Sequence, residues 1–188
     1  MISGTTKDQL IEATRQLLLS TKTPEKITAR QISQTANVNL AMINYCFGSK
    51  DELLKTVIDE IIASEFKQYA ATDHGQSPKE KLKELLYHMC EVTIKYEPIT
   101  RLSVPYVLLQ APIEIPVEVL PYIKEHFEGT RDEKFCKVIA YELVSFLQVI
   151  FYRAKDFYKY AGVDIYKESE LKELIDNQLD LILGGHSK

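Results

Sequence analysis

The sequence predicts an all-α protein of about nine helices, and three observations carry that reading. Apolar residues recur at three- and four-residue spacing along most of the chain, the period of a helix buried on one face. Ser or Thr followed three residues later by Glu or Gln marks several helix starts. No segment shows the strict alternation of a half-buried strand, and no internal repeat emerges.

At 188 residues the chain is long enough to bury a sizeable core, and its 45% hydrophobic and 27% charged content is ordinary for a globular protein. No apolar run approaches the roughly 20 residues of a membrane-spanning helix, and Met1–Leu10 lacks the apolar stretch of a signal peptide. A cytoplasmic location away from membranes is expected. The net charge of −4 is unevenly spread. Residues 1–50 hold six cations (Lys7, Arg15, Lys22, Lys26, Arg30, Lys50) against three acids (Asp8, Glu12, Glu25), a net of +3 that leaves −7 on the remainder. A mildly basic head on an acidic body suits contact with phosphates at one end only. Cys46, Cys90 and Cys136 lie far apart, with no metal-ligand spacing to the equally scattered His74, His88, His126 and His186. Neither a zinc site nor a cofactor motif is expected.

Taken in order, Thr6 and Gln9 offer a capping box for a first helix through about Ser20, with Leu10, Ala13, Thr14, Leu17 and Leu18 on one face. After the loop Thr21–Lys26, Thr28 caps a second helix and Asn39 a third. Ile32 and Ala36 share a face of the second. Ile43 pairs with Cys46 and Phe47 on the third, and Val38 can plug the angle between the two helices. Ser33 is small enough for a close crossing. Asn37, where the chain reverses, is the non-glycine residue that best tolerates a left-handed backbone. This is the spacing of a DNA-binding helix-turn-helix.

Ser49 and Glu52 open a long fourth helix toward Tyr69, with Leu53, Leu54, Val57, Ile58, Ile61 and Ile62 inward. A polar break at Ala71–Gln76 precedes Ser77-Pro78-Lys79-Glu80, a strong start for a helix reaching Tyr96. Residues 98–121 hold five of the seven prolines, which predicts short or kinked helices packed by their apolar neighbours. Val117–Phe127 reads as a short amphipathic helix ending at Gly129. Thr130 and Glu133 then open the longest helix, about Arg131–Tyr160, and Ser169–Leu183 is the last. The expected division is a helix-turn-helix domain over 1–50 and a larger helical body over 51–188.

The helix-turn-helix resembles that of the TetR (tetracycline repressor) family. The resemblance rests on Thr28-x-Arg30-x-Ile32, Ala36-Asn37-Val38 and Ile43-Asn44-Tyr45-x-Phe47-Gly48-Ser49-Lys50-x-Glu52-Leu53, and it covers roughly residues 6–60. It implies a homodimeric transcription factor, a repressor released from a palindromic double-stranded DNA operator by a small-molecule effector in the body. It also implies a dimer interface from the last two long helices. The chain departs from the family where Asn39-Leu40-Ala41-Met42 replaces the commoner Ser-Lys-Gly-Thr and Cys46 replaces His or Tyr.

For DNA contacts the candidates are Thr28, Asn39, Leu40, Ala41, Asn44, Tyr45 and Lys50. Thr28 and Asn39 stand at helix starts, where free N–H groups favour phosphate, though capping alone also explains them. Lys50 sits where a cation is electrostatically unwelcome unless a phosphate partners it. Asn44, Leu40 and Ala41 suit base edges and thymine methyls, and the Tyr45 hydroxyl suits the backbone. Cys46 points inward with no second cysteine near, which argues against a redox switch. For the effector pocket the candidates are Tyr87, His88, Tyr96, Tyr106, Gln110 and Phe146, each equally readable as core. The competing class is a DNA-binding partner-recruiting or architectural protein with no small-molecule inducer. No nucleophile–His set, paired carboxylate or phosphate-cradling loop appears, so an enzyme is not expected.

Overall fold

The computed structural model describes residues 5–68, 76–114 and 116–184, which form ten α-helices and no strand among the described residues. The chain divides into two compact units. Met1–Ala70 with Tyr96–Ser103 makes the first, and Ala71–Lys95 with Val104–Lys188 the second.

In the first unit, α1 (Thr6–Ser20) is followed by a 3-10 turn (Pro24–Lys26), α2 (Ala29–Thr35), α3 (Ala41–Phe47) and α4 (Lys50–Gln68). Their inward faces form one apolar cluster that includes Leu10, Leu18, Ile32, Ile43, Leu53, Val57 and Ile61. Ile99, from the first turn of α6 (Glu97–Leu109), joins the same cluster. Because α4 contributes five residues to this core, the compact head extends beyond residue 50. Helix α1 starts differently from the Thr6/Gln9 reading. The cap is Thr5, whose N–H and hydroxyl donate to Asp8 Oδ2 at 2.9 and 2.8 Å, while Thr5 Oγ1 accepts from the Asp8 N–H at 3.3 Å. A carboxylate makes a charge-assisted bond that an amide cannot match, so the frame that brings Asp8 into play wins.

The second unit contains α5 (Pro78–Lys95), the later part of α6, α7 (Pro116–Phe127), α8 (Glu133–Tyr152), α9 (Ala154–Ala161) and α10 (Glu168–Leu183). Helix α7 packs between α5 and α8, burying Val119 and Ile123 fully. Helices α5 and α10 pair antiparallel. Lys79 meets Asp180, and four residues further along α5, Lys83 meets Asp176 at 2.6 Å. The prolines act as anticipated. Pro105 lies inside α6 and Pro121 inside α7, each removing one helical N–H. The polar break at 71–75 lies outside the described residues.

Two features correct the predicted 131–160 helix. Asp132, not Thr130, is the N-cap of α8, accepting from the Phe135 N–H at 2.7 Å, while the Thr130 hydroxyl donates back to the Phe127 carbonyl. The rod also breaks at Arg153, whose backbone (φ −106°, ψ 26°) leaves the helical region. The break lets the Phe157 ring meet Phe146 edge-on at 6.4 Å, although eleven residues of straight helix would separate them by about 16 Å. Helix α8 is long and apolar enough by composition to cross a membrane, yet nearly half of its apolar window is buried inside the protein. Its other face leaves Val138, Tyr141, Val149 and Tyr152 exposed at helical spacing.

Candidate nucleic-acid interface

The head's outer surface is built around α2 and α3. Thr28 caps α2 through a reciprocal box, its Oγ1 accepting from the Gln31 N–H at 3.2 Å while Gln31 Oε1 accepts from the Thr28 N–H at 2.8 Å. The Thr28 hydroxyl also donates to Gln31 Oε1 at 2.9 Å, so a phosphate here would have to compete with that bond. Helix α2 ends at Ala36, and Asn37 adopts φ +55°, the left-handed backbone expected of the turn. The Val38 N–H then returns to the Ser33 carbonyl at 3.0 Å, and Ser33 itself is buried.

Asn39 begins α3 by accepting from the Ala41 N–H at 2.9 Å through Oδ1. From that start, Ile43 turns into the core, and Met42, Cys46 and Phe47 pack partly against it. The opposite face therefore carries Leu40, Ala41, Asn44 and Tyr45 outward. Leu40 is 50% exposed and Tyr45 84% exposed, far more than a packing role for either side chain would leave. A face made of one amide, one phenol and two small or branched apolar groups offers hydrogen bonds and methyl contacts but no charge.

The cations are arranged unevenly. Lys50, at the start of α4, points back across the turn. Its ammonium donates to the Ile27 carbonyl at 3.3 Å and lies 3.3 Å from Asp51. Two of its three donors are thus engaged, and one is open. Arg15 is neutralised by Glu60 at 2.6 Å. Lys7 lies over the Phe47 ring, 5.5 Å from its centroid. Sequence reading missed Lys7 because its partner lies 40 residues away.

Of the pocket candidates, Gln110 alone lines the recess found in the second unit, a half-open space of about 220 Å³. The end of α6, the segment 110–114 and one face of α8 (Tyr141, Val144, Ser145, Gln148) form its walls. Tyr96 belongs to the first unit, where its hydroxyl donates to Glu65 at 2.6 Å. Tyr87 lies beneath the Lys172 ammonium at 4.6 Å, and Phe146 is committed to Phe157. Tyr106 and His88 are half-buried and outside the recess wall. The recess residues Leu108, Ile113 and Val144 carry no sequence signal that separates them from core. Cys46 is half-buried, and Cys90 and Cys136 are buried, with the Cys90 thiol pushed up to about 12 by desolvation.

No family sequence model and no curated protein sequence matches the chain. Solved structures do. A TetR transcriptional regulator from Rhodococcus sp. RHA1 superposes with a TM-score of 0.65 at 14% identity, over 97% of this chain and 98% of that one. FadR of Thermus thermophilus, a TetR-family transcriptional repressor solved with lauroyl-CoA, gives 0.65 at 17% identity, over 97% and 95%. A TetR-family member from Streptomyces coelicolor gives 0.51 at 17%, over 100% and 96%. The chain has the fold of the TetR-family transcriptional regulators.

Proposed function

We propose that the chain is a sequence-specific DNA-binding transcriptional regulator, acting as a homodimer in the cytoplasm and without enzymatic activity. The observation that carries this is the outward face of α3. Leu40, Ala41, Asn44 and Tyr45 stand clear of a helix whose other side is fixed in the core of the head. Inserted in a major groove, Asn44 would bond a base edge, and Leu40 and Ala41 would meet thymine methyls. Asn39, Thr28, Tyr45 and Lys50 would hold the phosphates on either side. Two copies joined through the exposed faces of α8 and α10 would read a palindrome, since a two-fold dimer repeats the same contacts on both half-sites.

The role as a repressor released by a small molecule is supported by the recess. Its wall mixes Val107, Leu108 and Val144 with Gln110, Ser145 and Gln148, and Glu114 is the charged residue among those described, so a small neutral or cationic effector suits it better than an anion. For such a molecule to act, it must bind the non-DNA-binding arrangement more tightly by the energy of the switch. A second reading, a regulator whose body recruits a protein partner, draws on the same space. At about 220 Å³ it falls below the roughly 300–1,000 Å³ of most ligand pockets.

Selection of bound duplexes from a random-sequence pool tests the central claim, with a palindromic consensus as the expected product. Asn44→Ala should then change the preferred base at one position of each half-site, with discrimination there weakened by about 1–3 kcal/mol. A pool that emerges unenriched, or a consensus untouched by Asn44→Ala, counts against α3 as the reading helix.

A further inference from the structure

We propose that Lys7 is a phosphate-binding residue for the far end of α3, held in position by the ring of Phe47. The proposal rests on the DNA-binding reading of the head and adds a contact to it. The two ends of α3 present opposite problems to DNA. At the N-terminal end, backbone N–H groups and Asn39 favour a phosphate. At the C-terminal end the helix presents carbonyl oxygens, which repel one, so a cation is needed there to bring a strand close.

Phe47 is the last residue of α3, and the Lys7 ammonium lies 5.5 Å from its ring centroid. Lys7 is exposed and makes no ion pair among the described residues. The nearest acid in sequence, Asp8, feels the Lys7 charge but accepts its hydrogen bonds from the Thr5 N–H and hydroxyl at 2.9 and 2.8 Å. Lys50, three residues beyond Phe47, is offset by Asp51 at 3.3 Å and tied to the Ile27 carbonyl. Arg15 faces Glu60. Lys22, Lys26 and Arg30 are exposed, but they belong to the approach to α2 and its first turn. Lys7 thus brings to the C-terminal end of α3 an exposed ammonium that no ion pair holds among the described residues. The ring contact also matters. Phe47 is partly packed on the head core, so it fixes where the ammonium sits and reduces the rotamer freedom lost on binding.

The test measures binding of the full-length protein to mixed-sequence duplex DNA by fluorescence anisotropy over a range of salt. Each phosphate neutralised contributes about −0.9 to the slope of log affinity against log salt. Lys7→Gln should make that slope shallower by about one unit, so that the variant loses roughly threefold less affinity between about 50 and 200 mM salt. Sequence preference should be unchanged. Lys7→Arg, which keeps both the charge and the ring contact, should retain the wild-type slope. A Lys7→Gln protein with the wild-type slope overturns the proposal, as does a Lys7→Arg protein that behaves like Lys7→Gln. Wild-type protein with no salt-dependent binding to duplex DNA would instead remove the DNA-binding reading itself, and this proposal with it.

Discussion

Thr14 is the residue at which polarity and burial conflict most directly. Its side chain is fully buried in α1, and its hydroxyl has no hydrogen-bond partner among the described residues. A buried hydroxyl without a partner costs about 1–3 kcal/mol, and valine has the same shape without that penalty. Thr14→Val is therefore expected to raise the unfolding free energy by about 1 kcal/mol, read as a higher urea midpoint at unchanged slope. A lower midpoint would mean that the hydroxyl is bonded after all. Asn37 presents the opposite case, a strained position matched to its residue. At φ +55° a β-branched side chain would be costly, while Asn is tolerated without the unfolded-state entropy of Gly.

Among the elements, α10 is held by two kinds of contact whose magnitudes differ. Its ion pairs to α5 are partly exposed, with the Lys83 and Asp176 side chains 37% and 43% accessible. Such pairs contribute under about 1 kcal/mol each and are screened by salt. Leu171, Ile175 and Leu179, by contrast, are all but fully buried along the inner face. Lys83→Met should thus lower stability by less than about 1 kcal/mol, with the difference gone at about 1 M salt. Leu179→Ala should cost about 2–5 kcal/mol at any salt concentration. Paired urea titrations at low and high salt separate the two. If the lysine variant proves the more damaging, the apolar seam is not what holds α10 in place.

For the molecule as a whole, the proposed dimer turns on one exposed apolar surface. Val138 is 58% exposed on α8 and Leu181 79% exposed on α10, with Tyr141, Val149 and Tyr152 continuing the α8 stripe. A charge placed in the centre of such a face would stay solvated in a monomer but be buried in a dimer, where an unpaired charge is strongly unfavourable. Val138→Glu should leave the helical content and thermal unfolding of the subunit close to wild type. It should shift the sedimentation from dimer to monomer and reduce binding to a palindromic duplex to that of a single half-site. If Val138→Glu sediments as wild type, this face is not the dimer interface.

How much of this was legible beforehand depends on the reach of each interaction. The helix-turn-helix was legible because its determinants act within a few residues: the Thr28 cap, the Asn37 turn and the Ile32/Ile43 spacing all reappear in the fold. The ends of most helices were legible for the same reason. Where two caps competed within two residues, at Thr5 against Thr6 and at Asp132 against Thr130, spacing alone could not choose. At α1 the Asp8 carboxylate favoured Thr5 over the Thr6 frame with its Gln9 amide, and at α8 the Asp132 carboxylate accepts the capping N–H in place of the Thr130 hydroxyl. The break at Arg153 was invisible, because the aromatic contact that accompanies it joins rings brought together only when α9 folds back. The same holds for Lys7 on Phe47, Lys50 on the Ile27 carbonyl and the recess beside α8. By itself, then, the sequence determined the helical class, the turn and the exposed face of α3, all of which follow from short-range periodicity and backbone preference. Only the tertiary structure decided which cations are spent within the head and which are left for a partner. Charge neutralisation depends on distance in space, and periodicity along the chain carries no record of it.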